Sequence, residues 1–284
     1  MNVLIAGCGF VGNRLGESLH GAGHRVWGLR RTPQRVAAPI TPLSADLTDL
    51  HTLRAVVPEG VTHVCYAVSA GEASEMAYRR AYVQGLSHLL QVFEERRLEP
   101  RWVFISSTAV YAQKNGEWVD ETSPTEPTHF SGQLLLQAER QLLAGTKYAT
   151  VLRCAGIYGP GRDRLLRLVR SGQARYDARR PRYTNRIHRD DVAQAVAHLL
   201  QLERPARCYL GVDHDPAPEL EVYRWLAAQL GAPDPAPESS PPSGRRASNK
   251  RCNGALLRNS GYRFLFPSFR EGYLEQVKAS QSLG

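Results

Sequence analysis

The chain has no hydrophobic run approaching the roughly 18 consecutive apolar residues that a membrane-spanning helix needs, although 42% of its 284 residues are hydrophobic. A membrane is therefore not expected as a partner. Its five cysteines, Cys8, Cys65, Cys154, Cys208 and Cys252, are odd in number and form no Cys-x-x-Cys pair. That fits neither a disulfide framework nor a zinc knuckle, so a reducing compartment and no bound metal are expected. Lysine is scarce: Lys114, Lys147, Lys250 and Lys278 are the only four, so 32 of the 36 basic residues are arginines. These are scattered through every segment, and the net charge of +9 lacks the clustered stripe of a nucleic-acid binder. The excess suits a small anionic substrate or cofactor, or simply solubility. Residues 1–6 carry no positive leader and run straight into glycines, so they read as a buried strand rather than a signal peptide. A cytoplasmic location follows as an expectation. Assembly with further copies is left open.

What is present is ordinary globular material, with 22% charged residues and enough length for one large core or two modest ones. Short apolar runs alternate with helical patterns through the first half, the signature of a parallel sheet covered by helices. Strands are expected at 3–6, 25–29, 41–44, 63–68, 102–106 and 150–153. Val11, Leu15 and Leu19 form one helical stripe, stopped by Gly21 and Gly23, and Val83, Leu86, Leu89, Leu90 and Phe93 form another. At Gly156-Ile157-Tyr158-Gly159-Pro160-Gly161 no regular element is expected to continue, and a change of domain is placed near residue 160. Beyond it come a helix over 190–202, a short strand at 208–212 and a helix over 219–230. Residues 232–243, rich in Pro, Ser and Ala, read as a loop or lid.

Gly7-Cys8-Gly9-Phe10-Val11-Gly12 follows an expected strand and opens an expected helix, the context in which a G-x-G-x-x-G run binds a dinucleotide. Gly7 permits the tight turn, Gly9 lets the backbone approach a pyrophosphate, and Gly12 lets the helix pack on the strand. The phosphate charge then lies at the helix N-terminus, where N–H groups and the macrodipole favour an anion. About 20 residues on, an acid would select NAD, but the strand ends Arg30-Arg31. Two guanidinium groups suit a 2′-phosphate, which favours NADP over NAD; the alternative is that both are merely solvated. Asp46, followed by Leu47, lies where a carboxylate could meet the adenine amino group, or could cap a helix. Phe10, Val11 and Ala67, near the end of the fourth strand, complete the candidate cofactor set.

Taken together these residues resemble the extended short-chain dehydrogenases/reductases, the NAD(P)-dependent epimerases and dehydratases, over nearly the whole chain. The resemblance rests on the glycine turn, Asp46-Leu47, Phe104-Ile105-Ser106-Ser107-Thr108-Ala109-Val110-Tyr111 and Val119-Asp120-Glu121-Thr122-Ser123-Pro124. It continues in Leu152-Arg153-Cys154-Ala155-Gly156-Ile157-Tyr158-Gly159-Pro160 and Ile187-His188-Arg189-Asp190-Asp191-Val192-Ala193. It implies a Rossmann-type α/β fold, a doubly wound parallel sheet over 1–160 with a smaller C-terminal substrate subdomain over 161–284, part of which returns to the sheet.

One feature of that family is missing. Its catalytic Tyr-x-x-x-Lys pair would fall on Ser131 and Leu135, and no Tyr-x-x-x-Lys occurs anywhere in the chain. Ser107 lies at the family's catalytic Ser/Thr position, although Ser-Ser-Thr can also simply terminate a strand. Tyr111 and His129 are the candidate substitutes for the lost acid. The resemblance places Arg162 and Arg186 in a substrate cleft, where arginine suits a carboxylate or phosphate. Asp190 and Asp191, at the head of an expected helix, read as its N-caps. Two functions are carried forward: an NAD(P)-dependent oxidoreductase or epimerase acting on a small anionic or sugar-like compound, and an NADP(H) sensor without turnover.

Overall fold

Short β-branched and aliphatic runs give the first half its strands. A computed structural model describes residues 1–238 and 248–281. Along the chain come β1 (Asn2–Ala6), α1 (Phe10–Gly21), β2 (Arg25–Arg30), β3 (Thr41–Ser44), α2 (Leu50–Val56) and β4 (His63–Tyr66). There follow α3 (Glu75–Tyr78), a π-helical turn (Arg79–Gln84), α4 (Gly85–Glu95), β5 (Arg101–Ser107), β6 (Glu117–Val119), α5 (Phe130–Gly145) and β7 (Ala149–Cys154). The remainder comprises β8 (Gly156–Tyr158), α6 (Arg164–Arg170), β9 (Arg175–Tyr176), β10 (Arg186–His188), α7 (Arg189–Gln201) and β11 (Cys208–Gly211). It ends with α8 (Glu219–Leu230), β12 (Ala236–Pro237), β13 (Lys250–Cys252), α9 (Ala255–Asn259) and α10 (Phe269–Gln281).

Seven strands form one sheet in the order β11-β7-β5-β4-β1-β2-β3. β1 is parallel to both neighbours, with Val3 beside Val26 on one side and His63 on the other. Val3, Leu4, Ile5 and Ala6 are wholly buried, as befits a strand covered on both faces. Strand order reverses between β1 and β4, and in such sheets the ligand crevice lies outside the carboxyl ends of the strands at this point. The sheet is the doubly wound Rossmann-type architecture expected. α1 buries Val11, Leu15 and Leu19 against it and ends where Gly23 takes a φ of +80°, a conformation open to glycine.

The π-helical turn has a cause in the neighbouring strand β4. Tyr66, wholly buried at the end of β4, donates its hydroxyl to the Ala81 carbonyl at 2.5 Å. A side chain inserted into the helical ladder displaces its regular bond. Gly85 makes room, since a Cβ there would lie 2.9 Å from both the Tyr66 hydroxyl and Leu47 Cβ.

By its internal contacts the chain divides into two discontinuous units rather than at one cut near residue 160. The first holds Met1–Val110, Thr125–Arg153 and Val192–Tyr209, and the second Tyr111–Pro124, Cys154–Asp191 and Leu210–Gly284. The second unit contains three short parallel ladders, β8 with β10, β9 with β12 and β6 with β13. Its core gathers Tyr158, Leu166, Val222, Leu226, Phe269 and Tyr273.

Three expectations are corrected here. Gly156-Ile157-Tyr158 is a strand, because β10 arrives beside it, and the irregular stretch begins only at Gly159. Asp191 is not an N-cap: it lies buried inside the first turn of α7, where its carboxylate accepts from the Tyr262 hydroxyl and the N–H groups of Leu265 and Phe266. His188 Nδ1 instead accepts from the Asp190 N–H at 3.2 Å. Within the loop or lid expected over 232–243, Ala236–Pro237 pair with Arg175–Tyr176 as a short ladder, and 239–243 lie outside the described residues. No helix of the described residues is long and apolar enough to cross a membrane.

Candidate functional site

The carboxyl ends of β1 to β5 carry most of the candidate residues, all within the first unit. Gly7 turns the chain with a φ of +87°, and its N–H and that of Cys8 both donate to the Leu29 carbonyl at the end of β2. A side chain at Gly7 would press on the β4 loop, its Cβ 2.7 Å from the Ala67 oxygen and the Val68 Cα. One at Gly12 would meet the Gly7 oxygen at 2.8 Å. Gly9 differs: the nearest protein atom to a Cβ there is the Gly7 oxygen at 4.0 Å. The space in front of Gly9 belongs to no side chain of the described residues. It opens at the N-terminus of α1, which has no side-chain cap, so the turn fits a pyrophosphate. Val11 is buried in the core, which limits its part to its backbone. Phe10 is half-buried beside it.

Arg30 and Arg31 part company. Arg30 Nη1 donates to the carbonyls of Cys8 at 2.9 Å and Arg35 at 3.2 Å, stitching the glycine turn to the loop after β2. Arg31 is exposed. Asp46 closes an Asx turn, its Oδ1 accepting from the N–H and hydroxyl of Thr48, both at 2.8 Å. Burial raises the Asp46 pKa, but the Thr48 bonds and the nearby guanidinium groups of Arg31 and Arg80 outweigh it and hold the carboxyl below its ordinary value. Asp49, not Asp46, caps α2. Leu47 packs by its Cβ toward Gly85.

A second group converges where β5 ends. Ser107 Oγ accepts from the Ala109 N–H at 3.1 Å, which ends the strand in a tight turn. The start of α5 lies directly on that turn: a Cβ at Gly132 would be 2.4 Å from the Ala109 oxygen. His129 is the N-cap of α5. Its Nδ1 accepts from the Ser131 N–H at 3.3 Å and lies 2.9 Å from the Ser131 hydroxyl. Two of the candidate residues are thus one capping unit, with Ser131 2% exposed. Leu135, four residues after Ser131, is buried apolar packing.

Two candidates lose their expected roles. Tyr111 is buried and donates its hydroxyl to the Asp120 carbonyl at 2.8 Å, within the second unit. That side chain fastens a loop and is withdrawn as a proton donor. Arg186, expected as a substrate contact, is 7% exposed, with Nη2 donating to Thr184 Oγ1 at 2.7 Å and the guanidinium over the Phe269 ring. Its Nη1 and Asp213 Oδ2 have no hydrogen-bond partner among the described residues. Arg162 is exposed and donates to the Ile157 carbonyl at 3.0 Å.

Burial pushes the Asp213 carboxyl up to about 8 against the pull of Arg186, with Asp215 and Asp191 adding repulsion. A folded-state value above the unfolded one means that the native protein binds the extra proton, so this group's contribution to stability falls as pH rises from about 4 to about 8. Asp213→Asn is expected to flatten the decline over that window in thermal unfolding at stepped pH. An unaltered slope refutes the assignment.

Sequence reasoning passed over Glu139 and two tyrosines. Glu139, on α5 and 1% exposed, accepts from Ser106 Oγ at 2.5 Å and takes a forked pair of bonds from Arg153 of β7, the closest 2.7 Å. A helical glutamate in a register of buried leucines, Leu135, Leu136 and Leu142, was the available signal. Tyr78 and Tyr82 sit four apart on α3 and the π-helical turn. Their rings are 5.3 Å apart, Tyr78 meets Phe130 edge-on at 5.5 Å, and Tyr82 lies 6.4 Å from Phe104 of β5.

The sequence profile of the NAD-dependent epimerase/dehydratase family matches residues 3–209, well over half of the chain. The chain belongs to that family. Among relatives of this family member, a Methylobacillus flagellatus protein assigned to the NAD-dependent epimerases/dehydratases is 36% identical and superposes with a TM-score of 0.82 over 99% of this chain and 98% of its own. The human short-chain dehydrogenase/reductase family 42E member 1 is 26% identical over 269 residues, which span 81% of this chain and 67% of the relative. The UDP-glucose 4-epimerase of Thermus thermophilus, solved in complex with NAD, shares the fold at 22% identity, with a TM-score of 0.79 over 98% of each chain.

Proposed function

We propose that this epimerase/dehydratase-family chain is an NADP-dependent oxidoreductase or epimerase of atypical short-chain type, acting on a small anionic or sugar-like carbonyl or alcohol. The observation that carries the reading is the open cradle at Gly9, over an uncapped helix N-terminus and between a turn and a helix that tolerate no other side chains. The backbone of Gly7 to Gly12 holds the pyrophosphate, Arg31 supported by Arg30 takes the 2′-phosphate, and Asp46 receives the adenine amino group. A bound nicotinamide supplies hydride chemistry. Ser107 orients the substrate oxygen, and the α5 cap of His129 and Ser131 walls the same region.

Arg31→Ala should weaken NADP by about 5- to 150-fold, the equivalent of about 1 to 3 kcal/mol for charge-assisted bonds, while NAD binding stays unchanged in calorimetry. Arg30→Ala should in addition loosen the glycine turn and weaken both cofactors. Equal losses for both cofactors with Arg31→Ala would mean that the arginine does not read the 2′-phosphate. The missing Tyr-x-x-x-Lys pair favours one other reading, a sensor that binds NADP(H) without turnover. Tight binding without cofactor oxidation across a broad carbonyl panel would favour it.

A further inference from the structure

We propose that Arg80 is a cofactor-binding residue that lays its guanidinium plane over the adenine ring, a role that rests on the dinucleotide reading above. The π-helical turn decides where Arg80 points. The Gly85 N–H donates to the Arg80 carbonyl five residues back, so Arg80 stands one π turn before Gly85 and shares its face. In an α-helix, at about 100° per residue, the two would point about 140° apart. His88, three residues further along α4, falls on the same face.

All three meet the loop after β3. Arg80 Nη2 donates to Thr48 Oγ1 at 3.4 Å, a Cβ at Gly85 would lie 2.9 Å from Leu47 Cβ, and His88 Nδ1 donates to the Leu47 carbonyl at 3.1 Å. The turn and the 46–48 loop thus form one wall. Π-helical turns occur mostly at functional sites, and this one carries a cation onto the loop that bears Asp46.

That wall offers an acceptor. Asp46 uses Oδ1 for the N–H and hydroxyl of Thr48, whereas Oδ2 has no hydrogen bond among the described residues. Two exposed guanidinium groups act on this carboxylate from different elements. In the β2–β3 ladder Arg30 lies opposite Ser44, so Arg31 comes level with the start of the loop, while Arg80 approaches from the turn. Neither makes an ion pair with any described residue. A purine whose amino group donates to Asp46 Oδ2 presents its flat face beside Thr48, where the Arg80 guanidinium lies, and planar guanidinium stacks on such faces. Arg31, at the end of β2, is left for the ribose 2′-phosphate. The two arginines act on different parts of the ligand.

The experiment is calorimetry of the full chain, of Arg80→Ala and of Arg80→Lys with NAD and with NADP. Nuclear Overhauser spectra of ¹³C-arginine-labelled protein with each dinucleotide accompany it. Arg80→Ala should lower both affinities by the same factor, about 3- to 30-fold for a cation–π contact. Arg80→Lys, which keeps the charge but not the plane, should not restore them. The parent should show contacts from adenine H2 and H8 to an arginine side chain that both variants lack. Unchanged affinities in Arg80→Ala, a loss confined to NADP, full recovery in Arg80→Lys, or absence of those contacts in the parent overturns the assignment and leaves the cofactor reading standing. Failure of the parent chain to bind either dinucleotide overturns both.

Discussion

If the glycine turn holds the proposed dinucleotide, Gly9→Val is expected to lower the affinity of the folded protein for it by at least about 100-fold, or about 2.7 kcal/mol. The size of the effect follows from where the new atoms go. Apart from its two chain neighbours, a Cβ at Gly9 has no protein atom closer than 4.0 Å, so the branched side chain is expected to enter the cradle rather than collide with the turn. Gly7 and Gly12 cannot be used for this test: side chains there collide with backbone at under 3 Å, and lost binding could not be told from lost structure. Calorimetric titration beside a thermal melt separates the two for Gly9. A variant that melts like the parent and binds the dinucleotide equally well removes the glycine turn from the cofactor site.

The second large effect lies away from the cofactor. Glu139→Ala leaves the Arg153 guanidinium buried without its carboxylate, in a site where Arg153 is 8% exposed. Breaking a buried pair from one side destabilises by about 3–5 kcal/mol, which for a chain of this size lowers Tm by about 6 to 20 °C. Replacing both partners with apolar residues of similar volume, Glu139→Leu with Arg153→Met, should recover much of the loss, because no charge is then stranded. A loss below about 1 kcal/mol in the single variant would mean that water or another group already solvates Arg153. The pair ties α5 to β7, and through Ser106 to β5, so the melt also reports how firmly the start of α5 is held over Ser107.

The parallel sheet was legible because its strands announce themselves by composition: Val3 to Ala6 had to be buried on both faces, and they are. The glycine turn was legible for a similar reason: Gly12 answers a contact with Gly7, Gly7 one with the loop after the neighbouring β4, and Gly9 faces open space. What stayed hidden depends on distant partners. Gly156 to Tyr158 reads as a broken segment until β10 lies beside it. Asp191 looks like a cap until Tyr262, Leu265 and Phe266 arrive from over 70 residues away. Tyr111 and Arg186 had the right chemistry in the wrong setting, one spent on a carbonyl and the other folded into an interior. The π-helical turn could not be read from periodicity, since its cause is one hydroxyl from another strand.

The interleaving of the two units, with junctions after Val110, Pro124, Arg153, Asp191 and Tyr209, bears on how this chain can be cut or recombined. A fragment ending at residue 160 would keep the glycine turn yet lack β11, the outermost strand, and all of α7. It would present the bare edge of β7 to other molecules, and exposed edges invite aggregation. Neither unit is a cassette. A chimera that imported another relative's second-unit segments would have to splice at all five junctions, whereas a circular permutant opened in an exposed turn, such as the one at Gly71, keeps every crossing.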